Sequence, residues 1–166
     1  MKKRLITALL VLVFVIGVLP GAVSAAGGLS NFVKVAAYKS GRFQDVRTSE
    51  WYAPYAQAAY EYGLIDGKPS GLFDPNTNMT LGEAVKLAAC LHSIFYTGSA
   101  GFSSGTPWYR PYADYALTSG ILSSDYPDYT APATRSEFAV ILSQALPSEA
   151  LSVRNTIEDN AIPDVP

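Results

Sequence analysis

Three side chains of this chain have the chemistry to bind an anionic carbohydrate: Arg135, Trp51 and Trp108. Arg135 opens a predicted helix, where its guanidinium could hold a carboxylate through two hydrogen bonds while the helix N–H groups add positive potential. Each indole ring could stack on the apolar C–H face of a sugar. Plainer alternatives exist, namely a solvated surface arginine and two tryptophans that anchor the core because they bury a large area. For the tryptophans we favour the core, with an exposed edge lining a groove.

Two acidic residues complete the set of candidate carbohydrate contacts. Asp45 precedes the first tryptophan, and Asp164 lies in the tail of the chain, each directly before a valine. Their carboxylates could accept hydrogen bonds from sugar hydroxyls or from backbone N–H groups in a turn. Because aspartate strongly favours turns, turn formation is the preferred interpretation.

The sequence contains no catalytic or metal-binding constellation. His92 and Cys90 are the only residues of their types, and two positions apart on a helix they point in different directions. Glu83 and Glu137 fit helix caps better than a pair of glycosidase acids, which stand about 5–10 Å apart. We therefore predict no catalytic residue, no metal site, no cofactor and no enzyme activity, and a Cys90 that is buried and inert.

The elements that carry these residues occur twice. Residues 51–56 (WYAPYA) recur as residues 108–113 (WYRPYA), and seven of the 13 positions from 51 to 63 are identical at an offset of 57. Residues 80–83 (TLGE) recur as residues 134–137 (TRSE) at an offset of 54. Each copy predicts a helix, a turn-rich loop and a second helix, so the chain is expected to be all-α and built from tandem repeats.

The first helix of each copy has recognisable ends. Pro54 and Pro111 lie in the first turn, where a missing backbone N–H costs little. Gly63 and Gly120 are expected just past the last turn in the left-handed conformation. The second helix of each copy begins with a capping box in which the Thr and Glu side chains bond each other's backbone N–H. These second helices are predicted to end at Gly98 and Pro147.

The N-terminus has the pattern of a secretory signal. A basic head at residues 2–4 precedes an apolar run from residue 5 to 19 and small residues before a cut after Ala25. An uncleaved anchor is the alternative, but the apolar run is shorter than the roughly 20 residues of a spanning helix. The signal holds three of the 12 basic residues and none of the 14 acidic ones, so the mature charge is 9 − 14 = −5. This charge argues against nucleic acid and anionic lipid as partners.

The recurring motifs resemble the S-layer homology family. The first copy contains residues 43–46 (FQDV), 51–52 (WY), 63–67 (GLIDG), 73–75 (FDP) and 80–83 (TLGE) in the family's order, and the second contains residues 108–109 (WY), 120–122 (GIL) and 134–137 (TRSE). The sequence Pro163-Asp164-Val165 looks like the opening of a third copy. The predicted division of the chain is a signal peptide (1–25), an N-terminal linker (26–42), repeat 1 (43–97), a linker (98–107), repeat 2 (108–147) and the start of a truncated repeat 3 (148–166).

The resemblance implies repeats arranged around a pseudo-threefold axis, with grooves between neighbours that bind secondary cell-wall polysaccharide, often through its pyruvylated sugar. It implies a non-catalytic module at the bacterial cell surface, and a further chain or a homo-oligomer could complete the third repeat. The family's arginine matches Arg135, whereas the first repeat has Leu81 at that position. A structural or protein-interaction module without carbohydrate binding is the alternative.

Overall fold

The computed structural model describes residues 27–151, and this part of the chain is helical. Its four α-helices are α1 (Ala53–Glu61), α2 (Leu81–Thr97), α3 (Arg110–Thr118) and α4 (Arg135–Ser143), and 3-10 turns lie at Leu29–Asn31 and Ser148–Ala150. Over these residues the only β-type pairing is an isolated bridge between Thr80 and Pro132. The all-α prediction is therefore confirmed. The signal peptide and Asp164 lie outside the described residues, and the pseudo-threefold arrangement stays a prediction.

The helix ends follow the sequence signals at most positions. Gly63 and Gly120 adopt φ angles of 71° and 78°, which a residue with a Cβ atom rarely adopts. Both second helices begin with the complete capping box: the N-cap threonine accepts from the N3 amide, and the N3 glutamate accepts from the N-cap amide. Gly98 ends α2 in the left-handed conformation.

One predicted end is wrong. Helix α4 stops at Ser143 rather than continuing to Pro147. The Ser143 hydroxyl donates to the Val140 carbonyl at 2.8 Å, and such local side-chain bonds compete with helical backbone bonding. The chain then turns, and Ala145 packs into the core with no exposed surface.

The two repeats join where α2 begins. The amides of Leu81 and Gly82 donate to the carbonyls of Ala131 and Tyr129 at 2.9 and 2.8 Å, and the Ala133 amide donates to Met79 at 2.8 Å. The first amides of a helix have no partner within the helix. The loop of repeat 2 therefore satisfies the amides that repeat 1 leaves free.

Side chains close this junction on both sides. Leu81 is buried in a cluster that also includes residues from α2, from α3 and from α4, such as Val85, Ala113 and Ile141. Helix α2 packs against both α3 and α4. The main apolar cluster thus lies between the repeats, and the fully buried Phe43 packs on Tyr60 and Phe73 within repeat 1.

The N-terminal segment fastens onto both helices of repeat 1. The Gly28 amide donates to the Phe95 carbonyl near the end of α2, and the Val35 amide donates to the Glu61 carbonyl at the end of α1. Glu61 is buried, and its carboxylate pairs with Lys34 at 2.6 Å. Residues 27–36 therefore tie the C-terminal ends of α1 and α2 together.

Asp45 bridges the start of repeat 1 to its loop. Its two carboxylate oxygens accept from the amides of Phe73 and Asp74 at 2.9 and 2.6 Å. Burial raises the pKa of this carboxyl, and the backbone hydrogen bonds lower it by more, so the pKa lies below its usual value. The charged form is thus the one that holds the loop.

Within residues 27–151, no helix combines the length and the apolar composition that crossing a bilayer requires.

Replacing Asp45 with Asn is expected to lower the free energy of unfolding at pH 7 by about 1 kcal/mol, because a charged acceptor of two amides is lost and solvent screens part of its effect. The folded pKa is depressed, so the wild-type advantage is present above the unfolded pKa of about 3.9 and disappears as the pH falls through the lower folded pKa. Urea unfolding at pH 7 and pH 3 measures both effects. The exposed Glu149→Gln is the control, and an equal gap at both pH values would contradict the assignment.

Replacing Gly82 with Leu is expected to destabilise the chain by about 1–3 kcal/mol through overpacking. A Cβ at Gly82 would lie 3.1 Å from the Tyr129 carbonyl oxygen and 3.2 Å from the Tyr109 Cβ, so a larger side chain would push repeat 2 away. Thermal unfolding of Gly82→Leu beside Gly101→Leu, at an exposed loop position, provides the comparison. Equal melting temperatures would show that the junction is not tightly packed.

Candidate functional site

A cleft of about 840 Å³ opens between the two repeats and is called here the inter-repeat cleft. Repeat 1 contributes residues 66–71 of its loop together with Glu83 and Lys86 of α2. The other wall comprises residues 102–105 of the linker and the aromatic side chains of Trp108 and Tyr112. The cleft thus combines cations from one repeat with aromatic rings from the other.

Lys86 is the most enclosed cation of this cleft. Its Nζ lies 2.6 Å from Asp66 Oδ2 and 5.4 Å from the centroid of the Tyr112 ring. Burial lowers the pKa of Lys86, and the hydrogen bond and charge of Asp66 raise it by more, so the pKa lies above its usual value. The ammonium group therefore stays charged although only 22% of the side chain is exposed.

Lys68 belongs to the loop of repeat 1 that lines this cleft. Its Nζ pairs with Asp74 at 2.9 Å and lies 3.8 Å from Glu83 Oε1. The hydrogen bond to Asp74 raises the pKa of Lys68. About a third of the side chain is open to solvent, so an incoming anion could reach it without a large rearrangement.

Arg42 forms part of the cleft but is occupied by local contacts. It donates to the Asp66 carbonyl at 2.9 Å and lies over the rings of Tyr60 and Phe43. These contacts fix the turn that presents Lys68. The cleft lining holds Arg42, Lys68 and Lys86 against the acidic Asp66 and Glu83, and Asp74, which pairs with Lys68, balances the third cation.

A second cleft, of about 410 Å³, adjoins the first and is called here the Trp51 cleft. Trp51, Tyr52 and Phe73 line one side, and Tyr52 and Phe73 stack at 6.0 Å. Lys68 and Lys86 line both clefts. The two cations therefore separate a pair of aromatic-lined depressions.

The tryptophans are not core anchors as the sequence favoured. Trp51 is 80% exposed and Trp108 is 48% exposed. The small residue Gly82 lets the Trp108 ring lie across the start of α2 without being enclosed. The interior of the junction is filled instead by alanines, by aliphatic side chains such as Leu81 and Ile141, and by Tyr129, so the indole rings remain at the surface.

Arg135 does not meet the tryptophans in these clefts. It is exposed at the first position of α4, lines neither cleft, and has no ion-pair partner among residues 27–151. Its counterpart Leu81 is buried because repeat 2 covers it. Asp45 also lines neither cleft, and both of its oxygens are engaged by the loop. Asp164 falls outside the described residues.

Sequence reasoning missed Lys68 and Lys86. A signal was present, because the positions aligned at an offset of 54 hold Lys86 in α2 and Val140 in α4. A cation that replaces an apolar residue between otherwise matching helices marks a difference between the repeats. The lysines became candidates only when the fold placed them in the same cleft as Trp108.

The remaining reactive side chains, Cys90 and His92, make contacts that belong to the packing of the fold. Cys90 is buried as predicted, and this burial raises the pKa of its thiol to about 11; its inertness stays a prediction. His92 Nδ1 lies 2.8 Å from the Tyr115 hydroxyl across the repeat junction. In the described part of the chain, no group of three His, Cys, Asp or Glu side chains has the arrangement to hold a metal ion.

Comparison with known proteins agrees with this architecture. The family model of the S-layer homology domain matches residues 42–85. Similar proteins include the surface-layer 125 kDa protein of Lysinibacillus sphaericus (27% identity over 74% of this chain and 11% of that protein) and the exoglucanase XynX of Acetivibrio thermocellus (30% over 66% and 11%). A cell surface protein of Thermoanaerobacter kivui is 26% identical over 72% of this chain and 14% of its own length.

The chain thus spans between 11% and 14% of the length of these relatives. No solved structure matched it. The matched segment includes the α1 helix, its loop and the capping box of α2, and the second hairpin repeats the same design. Residues 42–85 are thus similar to the S-layer homology domain.

Proposed function

We propose that this chain is a non-catalytic anchoring module, secreted to the bacterial cell surface, that binds secondary cell-wall polysaccharide. The observation that carries the proposal is the inter-repeat cleft, whose lining includes Lys68 and Lys86 together with the exposed Trp108. Two relatives are named as surface-layer and cell surface proteins, which favours the same location for this chain. The exoglucanase matches over only 11% of its length, so its catalytic name supports no activity here.

The chemistry of the cleft favours an anionic sugar such as a pyruvylated one. A carboxylate could take the place of Asp66 or Glu83 beside an ammonium group, and a charge-assisted hydrogen bond of this kind contributes about 1.5–3 kcal/mol. The Trp108 ring offers an apolar face for the C–H side of the sugar. In this proposal Lys86 and Lys68 supply the cations in place of Arg135, whose contact with the polymer remains a separate hypothesis.

Replacing both lysines is expected to abolish binding to wall sacculi. Each lost charge-assisted bond weakens binding by about 10- to 100-fold. The fraction of Lys68→Gln/Lys86→Gln that cosediments with intact sacculi should therefore be no larger than the wild-type fraction that cosediments with sacculi after acid extraction of the secondary polymer. Lys39→Gln, which removes an exposed cation outside both clefts, is the matched control. The measurement is the bound fraction over a series of chain concentrations at low and high salt.

Two results would overturn the proposal. One is binding that survives extraction of the secondary polymer, and the other is unchanged binding in the double-lysine variant. Arg135→Ala and Trp108→Ala measured in parallel separate the contributions of the exposed arginine and the aromatic ring. Loss of binding in Arg135→Ala alone would instead place the anion-binding site at Arg135, at the start of α4.

The alternative function is an interaction module that keeps the repeats without binding sugar. Its specific support is the set of large apolar side chains on the surface, with Trp51, Tyr55 and Val140 each more than half exposed. Soluble proteins generally use contiguous exposed apolar surface for contacts with partners. A chain that fails to bind sacculi but associates with protein would favour this function.

A further inference from the structure

The junction between the repeats has three identifiable contacts along one face of α2. Gly82 lies against Trp108 and Tyr109, the Lys86 ammonium lies over the Tyr112 ring, and His92 bonds the Tyr115 hydroxyl. Positions 82, 86, 89 and 92 follow helical spacing, so they form one stripe. This stripe is the surface on which α2 receives α3.

Helix α4 carries the counterpart of this stripe, and it is uncovered in the described part of the chain. At the offset of 54, Gly82, Lys86 and Ala89 correspond to Ser136, Val140 and Ser143. All three counterparts are exposed, Val140 by 58%, whereas Ala89 is fully buried. Helix α4 therefore has a receiving face without a helix on it.

Helix α1 carries the counterpart of the inserting face, and within residues 27–151 this face is exposed as well. At the offset of 57, Trp108 and Tyr112 of repeat 2 correspond to Trp51 and Tyr55. Tyr55 is 70% exposed and Tyr112 is half-buried, while Trp51 is 80% exposed against 48% for Trp108. Helix α1 therefore presents to solvent the face that α3 buries.

The two uncovered faces match each other in chemistry. Where α2 and α3 pair the Lys86 ammonium with the Tyr112 ring, α4 and α1 offer Val140 and Tyr55, an aliphatic and an aromatic side chain. Helix α4 already packs on α2 through the shared core, so a helix added to its free face would continue that junction. Residues 152–166 contain neither Trp nor Tyr, so they hold no further copy of the inserting face.

We propose that copies of this chain associate head to tail, with α1 of one copy docking on α4 of the next as α3 docks on α2 within the chain. The contact is heterologous, so it generates rings or filaments rather than a closed two-fold dimer. By the internal correspondence it would bring Arg135 close to the partner's Trp51, as Leu81 and Gly82 lie close to Trp108. The association goes beyond polysaccharide binding, and its test uses no glycan.

The experiment is a complementation of two interface variants in sedimentation velocity. Val140→Glu blocks the receiving face and leaves the inserting face intact, whereas Tyr55→Glu does the reverse. Wild type is expected to grow in mass with concentration, and each variant alone is expected to remain monomeric. An equimolar mixture is expected to form a dimer and nothing larger, because only one pair of intact faces remains.

Ser124→Glu, an exposed loop change outside both faces, should associate like wild type. Unchanged melting temperatures establish that the variants fold, since both replaced side chains are exposed. A wild type that stays monomeric at every soluble concentration would overturn the proposal, including the case in which residues 152–166 cover α4. A mixture that stays monomeric, or variants that associate alone, would also overturn it.

Discussion

The structure depends on the first turn of α2, where one repeat completes the hydrogen bonding of the other. The amides of Leu81 and Gly82 have no partner within their own helix, and the carbonyls of Ala131 and Tyr129 accept from them. Leaving two such amides buried without partners would cost a few kcal/mol, on the order of 1–3 kcal/mol each. Neither hairpin buries this end of the helix alone, so the two repeats form one structural unit and the cleft exists only where they meet.

This junction explains the different residues at the matched positions 81 and 135. In repeat 1 the position lies under the loop of repeat 2, and an apolar Leu81 fills it. In repeat 2 the same position faces solvent, and the charged Arg135 is free of any desolvation cost. Within one chain, the position therefore differs according to whether the loop of a following repeat covers the start of the helix, and its residue type alone does not identify a binding cation.

The local features of the fold could be read from the sequence because they depend on neighbouring residues. The capping boxes at Thr80 and Thr134 and the left-handed glycines at 63 and 120 are set by contacts within a few residues. The candidate site was less accessible, since Lys86 meets Tyr112 across a junction between repeats. The exposure of Trp51 and Trp108 escaped prediction for the same reason: large rings suggested burial, but alanines, aliphatic side chains and Tyr129 fill the junction.

The ion pair between Lys86 and Asp66 gives the Lys86 ammonium a counter-ion that belongs to the protein itself. In the proposed binding mode, a carbohydrate ligand would replace the Asp66 carboxylate, which lies 2.6 Å from the Lys86 ammonium, so a ligand that itself carries negative charge is favoured. A neutral hexose would offer no counter-charge, but because the Asp66 side chain is 74% exposed the pair contributes only about 0–1 kcal/mol, so the preference for an anionic sugar would be modest. That modest selectivity among wall polymers would then arise from a counter-ion that the protein carries with it.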